Sequence, residues 1–297
     1  MPIRIKNDLQ LKQILESENV FIMDETRAEH QDIRPVDIAV LNLDPDREDA
    51  EISLLRALSN TLLQVNVTLL LPEGVMVGGL PENRLNTEYK RLFGVSKKCF
   101  DGLVITGEAD AGTGINDFLD WSFSHVTSTL CLGSAAARAL EHFYGIAARP
   151  LLKGLCGVYG HVLSRRGLPL VRGFDDTFLS PHLRDVGIDE EALKKREDLI
   201  VLAQTVQKET YLCMNRDGSR IFCLGHPEYD RLTLDRKYRS SLQSGGSAAF
   251  PGDYYADDDE HREPVLKWRG HSNALFSNWL NYYVYQNTPF ELNRIVF

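Results

Sequence analysis

The sequence predicts an α/β fold built on a doubly wound, mostly parallel sheet. Short apolar runs alternate with helical patterns from residue 36 to residue 240, the layout of a sheet with helices on both faces. The first two clear runs are joined by a stretch long enough for a crossover helix. A strand–helix–strand unit of that kind pairs its strands in parallel. Gly107, Gly133 and His226 each fall just past the end of a run. Such sheets bind ligands beyond the carboxyl ends of their strands, so the three can converge on one site.

Taken in order, residues 1–34 read as an N-terminal arm, with a helix from Asp8 to Glu18 and a short apolar run at Val20-Phe21-Ile22-Met23. The core spans 35–243. Val36–Leu43 is the first buried strand, and Asp44-Pro45-Asp46 stops it. Glu51–Leu63 carries Ile52, Leu55, Leu58 and Leu62 at helical spacing, and Val65–Leu71 is the next strand. A loop over Pro72–Leu80 and a short helix over Asn86–Phe93 follow. Leu103–Gly107 is a third strand, and the small, acidic stretch Glu108–Gly114 reads as a surface loop. Ser128–Leu132 is a fourth strand. Ser134–Tyr144 is a helix that Gly145 ends. Short strands are expected at Gly157–Leu163 and Leu170–Val171. A helix is expected over Asp189–Leu202, with Asp189 as its N-cap. Glu209–Met214 and Arg220–Leu224 form a hairpin around Asn215-Arg216-Asp217-Gly218, and Leu232–Leu242 is a helix. Residues 244–297 make a Gly-, Ser- and Asp-rich linker up to Glu263, then an aromatic helix over Trp268–Gln286 that packs on the core.

Composition narrows the function classes. With 297 residues, 43% hydrophobic and 25% charged, the chain suits a soluble globular protein with a sizeable core. The net charge of -9 and the lack of a Lys/Arg block argue against nucleic acid. No apolar run approaches the ~20 residues of a membrane span, and the first residues lack the apolar region of a signal peptide. The five cysteines are scattered without a CxxC, which points to reduced thiols in a cytosol.

The residues richest in chemistry are His226 and Glu228. They sit two apart in a turn that Pro227 stiffens, after the strand-like Arg220-Ile221-Phe222. In that spacing a carboxylate can hold one imidazole nitrogen, fix the tautomer and leave the other nitrogen as a base. A solvated His and Glu in a loop is the plainer alternative for an isolated His-x-Glu.

Gly225-His226-Pro227-Glu228-Tyr229-Asp230 resembles the His–Glu motif of the homoserine O-succinyltransferase family. The resemblance runs nearly end to end, through Leu41-Asn42-Leu43, Asp101-Gly102-Leu103-Val104-Ile105-Thr106-Gly107 and His125-Val126-Thr127-Ser128-Thr129-Leu130. It continues through Gly157-Val158-Tyr159, Arg172-Gly173-Phe174-Asp175-Asp176 and Asn278-Trp279-Leu280-Asn281-Tyr282-Tyr283. It implies a class I glutamine-amidotransferase-like fold with N- and C-terminal extensions packed on the core. It also implies acyl transfer from acyl-CoA, as co-substrate, to a hydroxy amino acid such as homoserine. No other cofactor and no metal is expected, and neither nucleic acid nor membrane as a partner. A cytoplasmic homodimer serving methionine biosynthesis completes the expectation.

The family's nucleophile is a cysteine at a strand-to-helix elbow, where the helix N-terminus favours a thiolate and an oxyanion. In this chain the elbow falls at Leu130-Cys131-Leu132-Gly133-Ser134-Ala135, and the register puts Gly133 at the cysteine position. Ser134 is a weak substitute, and Cys131 reads as a buried core residue. Other positions implied to contact substrate are Arg47, where lysine is usual, and Gly107. Gly154 stands where the family has Lys, with Lys153 one place earlier. Leu183 stands for the family's Ser, and Ser240 for its Arg, with Arg239 one place early. Base and scaffold are kept while nucleophile and substrate contacts change together. Three readings stay open: single-step acyl transfer with His226 as base and no cysteine acyl-enzyme, a non-catalytic metabolite or partner binder, and a repurposed reaction on another acceptor.

Overall fold

A computed structural model describes residues 3–5, 11–17, 22–24, 35–73, 82–107, 114–245 and 249–288. The loop at 108–113 and Val20-Phe21 lie outside them. The strands are β1 (Ile3–Ile5), β2 (Ile22–Asp24), β3 (Val36–Leu43), β4 (Val65–Leu71), β5 (Tyr89–Arg91) and β6 (Phe100–Gly107), then β7 (Val126–Leu132), β8 (Ala148–Leu163), β9 (Thr177–Ile188), β10 (Leu199–Thr205), β11 (Thr210–Asn215) and β12 (Arg220–Cys223). They form one sheet in the order β2-β1-β4-β3-β6-β7-β12-β11-β10-β8-β9, with β5 beside β4. From β2 to β12 every pairing along that order is parallel, and from β12 to β9 every pairing is antiparallel.

Alternate residues of the central strands feed two cores, one on each face. Ile38, Val40, Val104, Leu130 and Ile221 face helices α1 (Lys12–Ser17) and α2 (Arg47–Ser59) and the C-terminal helix. Ala39, Leu41, Leu103, Ile105 and Phe222 face α5 (Ile115–His125) and α6 (Ser134–Tyr144). This two-sided burial is why the parallel strands read as continuous apolar runs.

Several local expectations change. The region 82–95 is α3 (Glu82–Glu88), β5 and α4 (Leu92–Val95) instead of one helix, because Tyr89–Arg91 pairs with β4. The helix expected over Asp189–Leu202 stops early. Asp189 does cap α7 (Glu190–Lys194), accepting from the Glu191 and Ala192 amides. The β-branched run that follows is then taken by β10, which pairs with β11. Leu170–Val171 lies in a 3₁₀ turn over Pro169–Val171, where Pro169 has no N–H for a ladder. Helix α8 (Thr233–Gln243) follows the His–Glu turn as expected.

Part of residues 249–268 reads as linker in the sequence. In the structure Val158 N–H donates to Gly252 O, Tyr254 Oη donates to Arg231 O, and Tyr255 Oη donates to Asp235. Tyr254, Tyr255 and Trp268 build a third core with Val158, Tyr229 and Leu234. The aromatic tail is α9 (Arg269–Asn278) running into a π-helical stretch, Trp279–Tyr285. Trp279 is fully buried, and its Nε1–H donates to Ser128 Oγ at 3.0 Å. Trp279→Ala is expected to cost about 3–5 kcal/mol, read as a lower urea midpoint; an unchanged midpoint would show that this tail does not belong to the cooperative unit. Among the described residues no helix is long and apolar enough to cross a membrane.

Candidate functional site

The site forms where β3, β6, β7 and β12 end side by side. At the end of β7 the chain turns at Gly133 with φ 59 and ψ -131, a conformation that only glycine adopts without strain. Helix α6 starts immediately after, with the side-chain-free Gly133 at its N-cap and Ala136 N–H donating to Gly133 O at 3.1 Å. The Gly133 amide is committed to main-chain carbonyls, Cys223 O at 2.8 Å and Gly225 O at 3.2 Å. These bonds tie the elbow to the turn that carries His226.

His226 and Glu228 are both buried, with Nδ1 and Oε1 2.8 Å apart. A carboxylate can only accept, so in the neutral ring the proton sits on Nδ1 and the lone pair is on Nε2. Thr106 Oγ1 donates to the same Glu228 oxygen at 3.3 Å. Oε2 is buried with no hydrogen-bond partner among the described residues. Tyr229 stacks on the imidazole, with centroids 4.3 Å apart and planes within 9°, and Trp268 Nε1–H holds the Tyr229 carbonyl at 2.8 Å. The ring is therefore gripped at one edge and on one face.

The position of that ring defines the site. A Cβ on Gly133 would lie 2.3 Å from His226 Cε1 and 2.4 Å from Nε2. The imidazole fills the space that a side chain at the elbow would need. Neither substitute nucleophile is poised. Ser134 Oγ donates to Gly107 O at 2.7 Å. Cys131 is buried within the sheet, and burial pushes its thiol far above the usual range.

His226, Glu228, Gly133, Ser134 and Gly107 thus come together. At Gly107, with φ 94, a Cβ would strike the Asp44 amide. Asp44 is buried and pairs with Lys237 at 2.7 Å. Arg47 begins α2 on the same side and donates to Asn42 O; burial lowers its pKa from the usual value. The other two basic candidates go elsewhere. Lys153 is exposed on β8. Arg239 is exposed on α8, bound to Asp235 at 2.8 Å and to Glu260 O at 3.0 Å. Leu183 packs against the third core. Sequence reasoning missed Thr106 and Tyr229 as partners of the dyad, although both lie in segments that carry the resemblance.

Behind the turn sit two further buried histidines, His161 and His182. Burial holds both neutral, aided by the Arg184 charge, with His161 lowered to about 3. A histidine that cannot charge when folded opposes unfolding above its unfolded pKa, and that contribution is lost as pH falls. The stability lost between about pH 6.5 and pH 3 is expected to be smaller in His161→Gln than in the parent. Urea midpoints across that range check this, and parallel curves would refute it.

The chain is similar to known proteins both in fold and in sequence. Among solved structures, a glutamine amido transferase from Methylobacillus flagellatus superposes with a TM-score of 0.51 at 9% identity, covering 84% of this chain and 94% of that one. At that identity the likeness concerns the fold alone. A homoserine O-acetyltransferase of Lachnoclostridium phytofermentans is 46% identical over 301 residues, covering 98% of this chain and all of the relative. A homoserine O-succinyltransferase of Shewanella woodyi is 42% identical over 302 residues, covering 99% of this chain and 96% of the relative. The model of the homoserine O-succinyltransferase family matches residues 2–290. With nearly its whole length matched, an amidotransferase-like sheet and a His–Glu pair at the elbow, this chain belongs to the homoserine O-succinyltransferase family.

Proposed function

We propose that this protein moves an acyl group directly from an acyl-CoA thioester to the hydroxyl of an amino-acid acceptor, homoserine first among them, without an acyl-enzyme. The observation that supports this reading best is the imidazole in the space of the missing nucleophile, with Nε2 free of any hydrogen bond among the described residues. His226 takes the acceptor's hydroxyl proton on Nε2. The oxygen forms a bond to the thioester carbonyl carbon, the C–S bond breaks, and CoA leaves with the proton that His226 returns. Glu228 keeps the tautomer and stabilises the imidazolium formed in between.

The N-terminal end of α6, an 11-residue helix, begins at the elbow and turns its positive end toward the developing oxyanion. Gly133 N–H is excluded from that task by its bonds to two carbonyls. The reading carries with it the remaining expectations of the resemblance, a cytoplasmic homodimer in methionine biosynthesis.

Purified protein with acetyl-CoA or succinyl-CoA tests the reaction. Free thiol is expected to appear only when homoserine is present, while the intact mass of the protein stays unchanged. A stable acyl adduct would overturn the single-step route. No thiol release with either donor would overturn the reaction and favour a binding role.

A further inference from the structure

A line of buried polar side chains runs beneath the His226 turn. Arg184 on β9 sends Nη1 to Val186 O at 2.8 Å, Nη2 towards Glu209 at 3.4 Å, and Nε to His182 Nδ1 at 3.2 Å. His182 Nε2 lies 2.9 Å from His161 Nε2. A guanidinium can only donate. His182 Nδ1 is therefore an acceptor and its proton is on Nε2. That proton goes to His161 Nε2, which leaves the His161 proton on Nδ1, a buried atom without a hydrogen-bond partner among the described residues. Every proton in the line follows from the fixed charge at one end.

This line touches the backbone that carries the base. A Cβ on Gly225 would meet Tyr211 Cε2 at 2.7 Å, Pro181 O at 3.1 Å and His182 Nε2 at 3.2 Å. His226 N–H donates to Pro181 O at 2.9 Å, and Gly225 O accepts from the elbow amide of Gly133. The Gly225–His226 peptide is thus clamped between the elbow on one side and Pro181-His182 on the other. The mechanism above uses neither His182 nor His161.

We propose that His182 is a positioning residue for His226: as a neutral ring locked by Arg184 and docked on His161, it holds the Gly225–His226 peptide against the elbow. The proposal rests on the reading of His226 as the base. It accounts for a buried imidazole pair whose replacement by apolar groups of the same shape can be nearly neutral for stability.

Full-length protein labelled with ¹⁵N-histidine tests it. Long-range ¹H–¹⁵N spectra from about pH 5.5 to pH 8 read the charge and tautomer of each ring. His182 is expected neutral with its proton on Nε2 throughout, His161 neutral with its proton on Nδ1, and His226 protonated on Nδ1. Ordinary titration of His182, or an averaged tautomer signal, would overturn the proposal.

In His182→Leu the His226 Nδ1–H signal is expected to broaden, and kcat to fall about 100-fold with KM within about 2-fold. His182→Gln, which keeps a donor towards His161, should recover most of both. If the leucine variant does not fold, His182→Asn, too short to reach His161, carries the same expectation. A folded variant whose His226 signal and titration match the parent would overturn the proposal. If the parent transfers no acyl group, the proposed reaction fails, and the ring signals still decide the positioning role.

Discussion

His226→Asn is expected to lower acyl transfer by about 10²–10⁴-fold, the usual worth of a positioned general base. The fold should survive. Asparagine can place an amide N–H near the position of Nδ1 and keep the donor to Glu228, whose carboxylate is buried and would otherwise lose its closest partner. What disappears is Nε2. If the base acts as proposed, kcat and kcat/KM fall together, because the missing interaction belongs to the transition state. Glu228→Gln should fall in the same direction, since an amide can present its N–H to Nδ1 and favour the wrong tautomer. Initial rates of homoserine-dependent CoA release, compared at matched thermal stability, measure both. Either variant retaining full turnover would remove the dyad from the mechanism.

Gly133→Ala is expected to be nearly as damaging, for a steric reason. One methyl group at the elbow would have to share space with the Cε1–Nε2 edge of His226, at 2.3 and 2.4 Å. Glu228 holds the neighbouring Nδ1 and Tyr229 lies against a face, so the ring can yield only by breaking one of those contacts. A residue with a side chain at this φ and ψ also carries strain of about 1–3 kcal/mol. Lower stability and a loss of about 100-fold in rate from a misplaced base are expected together.

Gly133→Cys meets the same crowding but adds chemistry. The thiol would stand at the start of α6 beside an imidazole, conditions that favour a thiolate. Acyl-CoA should then raise the intact mass of this variant by one acyl group, and leave the parent unlabelled. An alanine variant with parental rate would show that His226 does not occupy the elbow in solution. Labelling of the parent, mapped to Ser134 or Cys131, would restore a two-step mechanism.

Much of this is legible in the sequence. The strands β3, β4, β6 and β7 follow from stretches dominated by Val, Ile and Leu, since a strand covered on both faces is apolar at most of its positions. The His226–Glu228 pair was legible because two residues flanking a proline in a turn are neighbours whatever the rest of the fold does. The region after Asp189 differs from its sequence expectation for the opposite reason. Its cap points to a helix, and Asp189 does start one, but the following Leu-Ile-Val-Leu fits strand as well as helix, and pairing with β11 decides between them.

The sequence alone thus determined the sheet class, the dyad and the absence of a thiol at Gly133, because each is written in adjacent residues. It also supplied the changed residues at Gly154, Leu183 and Ser240. Tertiary structure alone decided what fills the vacated elbow, which hydroxyl supports Glu228, and where the relocated cations point. Thr106 lies 122 positions from Glu228, and Lys237 lies 193 from Asp44. Arg239, set to the site by its place beside Ser240, is drawn to Asp235 one helical turn away. Partners of that kind depend on strand order and on which side chains compete for the same donor, and no local stretch of sequence carries either.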